Sequence, residues 1–299
     1  MKENKSGLLL LLAIIVIALL GGFKSNGKGI GFVPGSFNTG ENTLSPEQSQ
    51  IQQQITDAQR QTQSLQAQLQ AENDKKYASI YKGMVSLRYV NHSTDPTQEY
   101  IVIQVMSTPT SPIDITGWTL TSTSSGASVK IPQASKLFFT SSPNSEEDVY
   151  LERGDTVYLT TGISPNGASF KVNKCSGYLG QFQSFNPSLN YNCPLPKNEN
   201  LSSIPRTLNN DACFDYIEYF PQCRIQTETL PLNWSYECTN FIYSKINYPS
   251  CIDTHKNDSD FYQHEWRIYL KRSEKIWKDR KESIVLYDNA GKIVDILRY

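Results

Sequence analysis

The sequence predicts a mainly β protein: an antiparallel β-sandwich with a cysteine-rich α-helical insertion, preceded by a transmembrane helix and a helical stalk. Three observations predict this fold class. Apolar and polar residues alternate in short runs between residues 84 and 173, and again between 282 and 299. All six cysteines lie between these two parts. An uncharged apolar run and a glutamine-rich heptad pattern precede them.

Length, charge and motifs limit the class of protein. The chain has 299 residues, which is enough for one or two domains with their own cores. Its formal net charge is −1, so no overall field attracts nucleic acid, and we expect no nucleic-acid partner. The sequence contains no P-loop, dinucleotide fingerprint or G-x-S-x-G motif. We therefore expect no cofactor, no catalytic residue and no enzymatic activity.

The N-terminal residues predict a single membrane anchor. Residues 6–23 carry no charge and have lysines on both sides. A helix over 7–23 is slightly shorter than the ~30 Å hydrocarbon core, and snorkelling lysines can make up the difference. A cleaved signal peptide is the alternative, but no A-x-A-like cleavage site follows. We expect residues 1–6 in the cytoplasm and the C-terminal part of this cell-membrane protein outside it.

A linker and a helical stalk are predicted after the anchor. Residues 24–44 are rich in Gly, Asn and Ser, which is typical of a flexible linker. Residues 45–82 predict a helix, with Ser45 as its N-cap and Pro46 in its first turn. Its seam follows a 4-3-4-3-4 spacing and consists of Ile51, Ile55, Ala58, Thr62, Leu65 and Leu69. This pattern indicates either a coiled coil that forms a homo-oligomer or a solvated helical stalk.

Period-two patterns predict the strands of the sandwich in residues 83–174. The alternating runs cover residues 84–93, 99–107, 114–122, 128–133, 149–162 and 168–173. Trp118 and Leu120 lie two residues apart, so we expect both to point into the core. Gly117 allows the bend that turns the indole inward. Tyr100 is a further predicted core residue.

The chain ends in a predicted β-hairpin within residues 278–299, with its turn at residues 288–291. Gly291 closes this turn and is part of the predicted structural core. An isolated hairpin is barely stable in water. We therefore expect the hairpin to complete the sheet that begins at residue 84.

Residues 175–277 predict a helical insertion that disulfides hold together. Helical patterns occur at 209–220, 234–246 and 259–282, and the last of these has an aromatic stripe opposite a basic, solvated face. The disulfide candidates are Cys175, Cys193, Cys213, Cys223, Cys238 and Cys251. An even number in one exported segment indicates about three disulfides. Pairing in sequence order closes the shortest loops and is preferred, although other pairings stay open; a zinc site lacks any C-x2-C spacing.

One stretch of the insertion contains residues that could form a metal or polar site. These residues are His255, His264 and Glu265. Two histidines and a carboxylate are suitable ligands, but their spacing matches no known metal pattern. Asp, Asn and Ser before a helix are also expected as caps. We therefore predict no metal, and an exported hydrolase that uses this stretch remains an alternative.

Four segments resemble the lamin-tail domain family. They are EYIVIQ (99–104), IDITGWTL (113–120), LERGDTVYL (151–159) and ESIVLYDNAGKIVDILRY (282–299). This family has an immunoglobulin-like β-sandwich and occurs in nuclear lamins and in bacterial membrane-anchored or exported proteins. The resemblance covers residues 84–173 and 277–299, and the long insertion departs from the family pattern. It implies a non-catalytic interaction or architectural module and supplies no catalytic residues.

The sequence as a whole predicts a membrane-anchored, extracytoplasmic surface, architectural or adhesion protein. Its sandwich and its insertion are expected to bind a protein or glycan partner, and the aromatic and basic residues of the insertion are the candidates for this binding. An exported hydrolase and an oligomeric subunit of an envelope or secretion complex are the alternatives.

Overall fold

The computed structural model describes residues 46–141 and 143–299. The predicted anchor at 7–23, the linker at 24–44 and the N-cap Ser45 lie outside these residues. Within the part of the chain that is described, no helix is both long enough and apolar enough to cross a membrane. The chain divides into two compact units, one that ends at Thr62 and one that begins at Gln63.

Helix α1 (Pro46–Tyr77) confirms the predicted stalk helix. The large apolar residues of its seam are exposed in the single chain: Ile51 by 56%, Ile55 by 41%, Leu65 by 43% and Leu69 by 49%. A coiled coil between several chains therefore remains a prediction.

The strands confirm a mainly β architecture. They are β1 (Val85–Asn91), β2 (Tyr100–Val105), β3 (Ile113–Asp114), β4 (Thr119–Ser122), β5 (Ser128–Lys130), β6 (Tyr150–Leu151), β7 (Thr156–Thr160), β8 (Phe170–Asn173), β9 (Tyr262–Tyr269), β10 (Ser283–Tyr287) and β11 (Ile293–Arg298). A five-stranded sheet has the order β1-β2-β7-β9-β8, and a four-stranded sheet has the order β11-β10-β4-β5. Strands β3 and β6 form a small third sheet. Side chains from both larger sheets meet in one hydrophobic core.

Trp118 lies in this shared core, as its sequence pattern predicts. It is 1% exposed, and Leu120 is fully buried. Gly117 has φ +79° and divides the predicted strand 114–122 into β3 and β4. A Cβ at Gly117 would lie only 2.9 Å from the Oδ1 atom of Asn289 in the final hairpin. The bend and the hairpin contact therefore both require glycine at this position.

Tyr100 is buried, but on the other face of the five-stranded sheet. Ile101 and Ile103 point into the shared core, so the side chain of Tyr100 points away from it. Its ring lies 5.6 Å from the ring of Tyr158 in an edge-on contact. Tyr100 is therefore buried, as predicted, but it packs in a tyrosine cluster outside the shared core.

The final hairpin joins the distant middle strands. Strand β10 pairs with β4 over Ile284–Tyr287, and its turn places Gly291 at φ +72°. The hairpin extends the sheet of β4 rather than the sheet of β1. Asp295 still connects it to β1, because its Oδ2 accepts hydrogen bonds from the Leu87 amide at 2.7 Å and the Ser86 hydroxyl at 2.9 Å.

The predicted helix over residues 259–282 is wrong, because β9 occupies its first half. Strand β9 is parallel to β7 and antiparallel to β8, so the larger sheet is mixed rather than purely antiparallel. Trp266 and Ile268 lie in the shared core, whereas Tyr269 lies in a second core on the opposite face. A strand buried on both faces shows little alternation, which is why its aromatic residues resembled a helical stripe.

The segment between β8 and β9 contains the remaining helices. They are α2 (Asp211–Tyr219), α3 (Tyr236–Lys245) and α4 (Tyr248–His255), with short 3-10 turns at Ser176–Gln181, Pro196–Asn198 and Leu208–Asn210. Helices α2 and α3 confirm the predicted helices. Helix α4 was not predicted, because Pro249 resembles a helix breaker, but it lies in the first turn, where proline is tolerated. Residues 175–277 are therefore not one helical insertion, since β9 belongs to the sheet.

All six cysteines form disulfides, which confirms the disulfide prediction. The pairs are Cys175–Cys251, Cys193–Cys223 and Cys213–Cys238. The preferred pairing in sequence order (Cys175–Cys193, Cys213–Cys223, Cys238–Cys251) is wrong. Short loops favour neighbouring cysteines in an unstructured chain, but a disulfide also needs its Cα atoms within about 7 Å, and packing decides which ones meet this condition.

Candidate functional site

The structure separates the three polar residues that the sequence suggested as one site. His255 ends α4, where its Nε2 lies 2.9 Å from Glu199 Oε1 and its Nδ1 lies 2.8 Å from Asp258 Oδ2. Desolvation lowers the pKa of His255, but the hydrogen bonds and charges of Glu199 and Asp258 outweigh it and raise the pKa above 6.5. Both ring nitrogens have a hydrogen-bond partner, so His255 links the end of α4 to Glu199 and to Asp258. We name this arrangement the histidine clasp.

His264 and Glu265 are neighbours on β9 and therefore point to opposite faces of the sheet. His264 Nδ1 lies 2.7 Å from Asp155 Oδ1, and Glu265 Oε1 accepts a hydrogen bond from Arg267 Nε at 2.6 Å. Within residues 46–141 and 143–299, no group of three or more His, Cys, Asp or Glu side chains is placed to hold a metal. The three residues of the suggested polar site thus make separate hydrogen bonds, each with a different partner.

A groove of about 620 Å³ lies beside α2 in the cysteine-rich segment. We name it the aromatic groove, and its principal lining residues are Asp215, Tyr216, Tyr219, Phe220, Gln226 and Trp234. Its lining combines four aromatic rings with aliphatic side chains and several planar polar groups. Small-molecule sites in proteins commonly have this composition.

Helix α2 provides one wall of the aromatic groove. Tyr219 follows Asp215 by four residues and Tyr216 by three, so it lies on the same side of the helix as each of them. The helix ends before Phe220, whose extended conformation starts the turn at Pro221. Tyr219 is 85% exposed and makes an unobstructed aromatic surface at the groove.

Aromatic contacts fix the floor of the groove. The ring of Tyr216 lies 5.2 Å from Trp234 in an edge-on contact and 5.4 Å from Phe220. The Tyr216 hydroxyl donates a hydrogen bond to Gln226 Oε1 at 2.6 Å. Burial raises the pKa of Tyr216, and the nearby Glu228 carboxylate raises it further, so its hydroxyl remains a donor at neutral pH.

Three hydrogen bonds hold the opposite wall in place. The Gln181 side-chain amide donates to the Ile225 carbonyl at 3.1 Å, and the Ile225 amide donates to Gln181 Oε1 at 2.6 Å. The Gln226 side chain donates to the Glu228 carbonyl at 2.9 Å. This pattern keeps Arg224 and Glu228 on the groove lining, where they add one charge of each sign.

Disulfides tie both walls to the rest of the segment. Cys213–Cys238 joins α2 to α3, and Cys193–Cys223 anchors the chain just before the opposite wall. A Cβ on Gly177 would collide with Cys223 Sγ, so the chain passes this second disulfide in direct contact. The shape of the groove therefore depends on oxidised cysteines.

The sequence predicted the region of this groove but not its residues. Aromatic residues of the insertion were expected to carry binding, and the i, i+3 pair Tyr216 and Tyr219 is visible in the sequence. Trp234 and Gln226 reach the same groove only through the disulfides and the Gln181 hydrogen bonds. The correct cysteine pairing would have been needed to predict that these residues line one groove.

No protein-family model matches the chain, and no curated protein matches it significantly.

Proposed function

We propose that this is a membrane-anchored, non-catalytic protein of the cell surface that binds a glycan in the aromatic groove. The observation that supports this proposal is Tyr219, a large aromatic ring that is 85% exposed beside a groove lined by other rings. An exposed ring beside other aromatic rings offers a flat apolar face on which a ligand can stack. The apolar face of a pyranose ring is a suitable cover.

Sugar recognition needs both stacking surfaces and planar hydrogen-bonding groups. The carbon-bound hydrogens on one face of a pyranose can pack on an aromatic ring, whose face carries partial negative charge. Hydroxyl groups around the sugar edge both donate and accept, which suits Asp215, Arg224 and Glu228 on the groove lining. The mixed charges favour a largely neutral sugar chain over a strongly charged one.

The two-sheet body would serve as the support for this groove. We propose that it is an immunoglobulin-like sandwich of the lamin-tail type, on the strength of the resemblance in its strands and hairpin. In this proposal the two-sheet body is attached to the outer face of the cell membrane through the N-terminal anchor, the linker and α1. The cysteine-rich segment then binds the glycan. Disulfides suit such an oxidising location.

The test uses the full chain in detergent micelles on an array of neutral hexose, N-acetylhexosamine and uronic acid oligosaccharides. We expect binding to at least one neutral class. Tyr219→Ala should weaken that binding by about 2- to 10-fold, because an aromatic stacking contact is worth roughly 0.5–1.5 kcal/mol. Tyr219→Phe should retain most of the affinity.

Tyr236→Ala is the matched control, because Tyr236 is 76% exposed on α3 and does not line the aromatic groove. It should bind like the unchanged chain. The proposal is refuted if no oligosaccharide binds, or if Tyr219→Ala and Tyr236→Ala have equal affinities. Incubation with the bound oligosaccharide would also show whether shorter products form, which would favour the alternative of an exported hydrolase.

A second proposal, that the stalk makes a homo-oligomer, rests on the exposed seam of α1. Isoleucines and leucines at heptad spacing are exposed by 41–56% and would be buried in a coiled coil. We expect light scattering to give a multiple of the 33.8 kDa chain mass after subtraction of detergent. Ile55→Asp with Leu65→Asp should return the monomer mass, whereas a monomer in the unchanged chain would exclude this role.

A further inference from the structure

A buried lysine borders a second groove, which shares no lining residue with the aromatic groove. Lys171 on β8 is 8% exposed, and its ammonium lines a groove of about 570 Å³. Its ion-pair partner is Asp155, with 3.5 Å between Nζ and Oδ2. Among the described residues, Nζ makes no hydrogen bond, although an ammonium has three hydrogens to donate. We name this space the lysine groove.

Asp155 cannot fully satisfy this ammonium, because other groups share its carboxylate. Asp155 is fully buried, its Oδ1 lies 2.7 Å from His264 Nδ1, and its Oδ2 accepts the Glu152 amide at 3.0 Å. A buried cation with unused donors is unfavourable unless another acceptor completes its shell. The lysine groove is the direction from which such an acceptor can enter.

A second donor with no partner borders the same groove. Trp266 on β9 is the cross-strand partner of Lys171, and the Lys171 ammonium lies 5.3 Å from the indole ring centre. Trp266 is 2% exposed, and its Nε1 is buried without a hydrogen-bond partner within the described chain. Buried indole N–H groups are normally bonded. Two adjacent strands thus place two residues with under-used donors, Lys171 and Trp266, on the lining of one groove.

Acidic side chains also line the lysine groove. Glu147 and Glu152 are exposed acceptors on its lining, and Tyr262 lines it as well. Burial raises the pKa of Tyr262, and the Glu147 charge raises it further. The Lys136 ammonium lies 5.5 Å from the centre of the same ring.

We infer that the lysine groove binds a small zwitterion with the chemistry of a free α-amino acid. Its carboxylate would complete the shell of the Lys171 ammonium and accept the Trp266 N–H. Its ammonium would lie toward Glu147 and Glu152, and its side chain would lie against Tyr262. A simple anion would be repelled by the carboxylates of Glu147, Asp148 and Glu152, and a simple cation by the ammonium groups of Lys136 and Lys171. The lining therefore suits a ligand that carries both charges.

Three matched probes test this inference: L-norvaline, pentanoate, which lacks its ammonium, and butylammonium, which lacks its carboxylate. Each is titrated into the ¹⁵N-labelled full chain in detergent, and the indole N–H signals are followed by NMR. Trp266→Phe identifies the relevant signal. We expect L-norvaline to shift this signal saturably and to bind at least about tenfold more tightly than either analogue. Equal binding of pentanoate, or no saturable shift with L-norvaline, would overturn the inference.

Variants separate this site from a general effect of charge. Lys171→Met keeps the aliphatic stem and should weaken L-norvaline binding by about ten- to a hundredfold, because it removes a charge-assisted contact. Lys130→Met, an exposed lysine on β5, is the matched control and should leave binding unchanged. If Lys171→Met fails to fold, Glu152→Gln, at an exposed position, should weaken L-norvaline binding but not pentanoate binding. Unchanged affinity in Glu152→Gln would contradict the inference.

Discussion

Arg267 joins the cysteine-rich segment to the five-stranded sheet, and its removal should strongly destabilise the protein. The side chain is 2% exposed on β9. Its Nε donates to Glu265 Oε1 at 2.6 Å, its Nη1 donates to the Pro187 carbonyl, and its Nη2 donates to the Ser188 carbonyl at 3.2 Å. The guanidinium also lies 4.6 Å from the ring centre of Tyr158. Arg267→Met would remove all these contacts while keeping most of the buried volume.

The loss of stability in Arg267→Met can be estimated from the groups that lose their hydrogen-bond partner. Glu265 would lose its ion-pair partner with only 16% of its side chain exposed, and two backbone carbonyls would lose their donor. Breaking a buried ion pair from one side costs about 3–5 kcal/mol. The free energy of unfolding of a domain is only about 5–15 kcal/mol, so this one change would remove a large share of it.

Guanidinium unfolding of the full chain, followed by tryptophan fluorescence, measures this cost. Arg298→Met, at an exposed position on β11, is the control and should change the free energy of unfolding by less than about 0.5 kcal/mol. Adding Glu265→Gln to Arg267→Met should recover part of the loss, because the stranded charge is then absent. A cost below about 1 kcal/mol for Arg267→Met, or no recovery in the double variant, would refute the role assigned to this ion pair.

Three further outcomes test the histidine clasp, the disulfides and the core. Because the folded pKa of His255 is raised, its stabilisation is fully present below about pH 6.5 and is lost as the pH rises through the folded pKa. His255→Gln should therefore cost most stability near pH 5 and progressively less toward pH 9 in unfolding curves, and a cost that stays constant over this range would contradict the role of this histidine. Serine at both Cys213 and Cys238 should reduce oligosaccharide binding on the array at least tenfold while near-ultraviolet circular dichroism of the two-sheet body persists; undiminished binding would contradict the disulfide's role. Trp118→Ala should lower the free energy of unfolding by about 3–5 kcal/mol in denaturant titrations, and a loss below about 1 kcal/mol would contradict its central packing.

The strands between residues 84 and 173 could be predicted because most of them bury one face more than the other. In β4, for example, Leu120 is buried between two half-exposed threonines, so hydrophobicity alternates. Strand β9 was not predicted, because its buried residues do not alternate with exposed ones. Its last residues, from Trp266 to Tyr269, are buried on both faces, one in each core. A charged residue among them, Arg267, further resembled the polar face of a helix.

The residues that line the two proposed binding grooves were harder to predict than the strands, because long-range contacts bring them together. Lys171 follows an apolar residue in ASFKVN, where a lysine is ordinarily a solvent-facing member of an alternating strand. Its burial depends on β9 pairing beside it and on Asp155 at the start of β7. The aromatic groove likewise depends on Cys213–Cys238. Neither contact has a signature in the local sequence.

The parallel pairing of β7 with β9 explains why the cysteine-rich segment lies where it does. Adjacent antiparallel strands can be joined by a tight turn, but parallel neighbours need a connection that crosses back over the sheet. Residues 161–261 provide this connection and include β8, which pairs with β9 on its other side. The segment is therefore a structural part of the five-stranded sheet rather than an appendage. Because β9 contributes Trp266 to the shared core and Tyr269 to the disulfide-bonded core, we infer that loosening one core weakens the other.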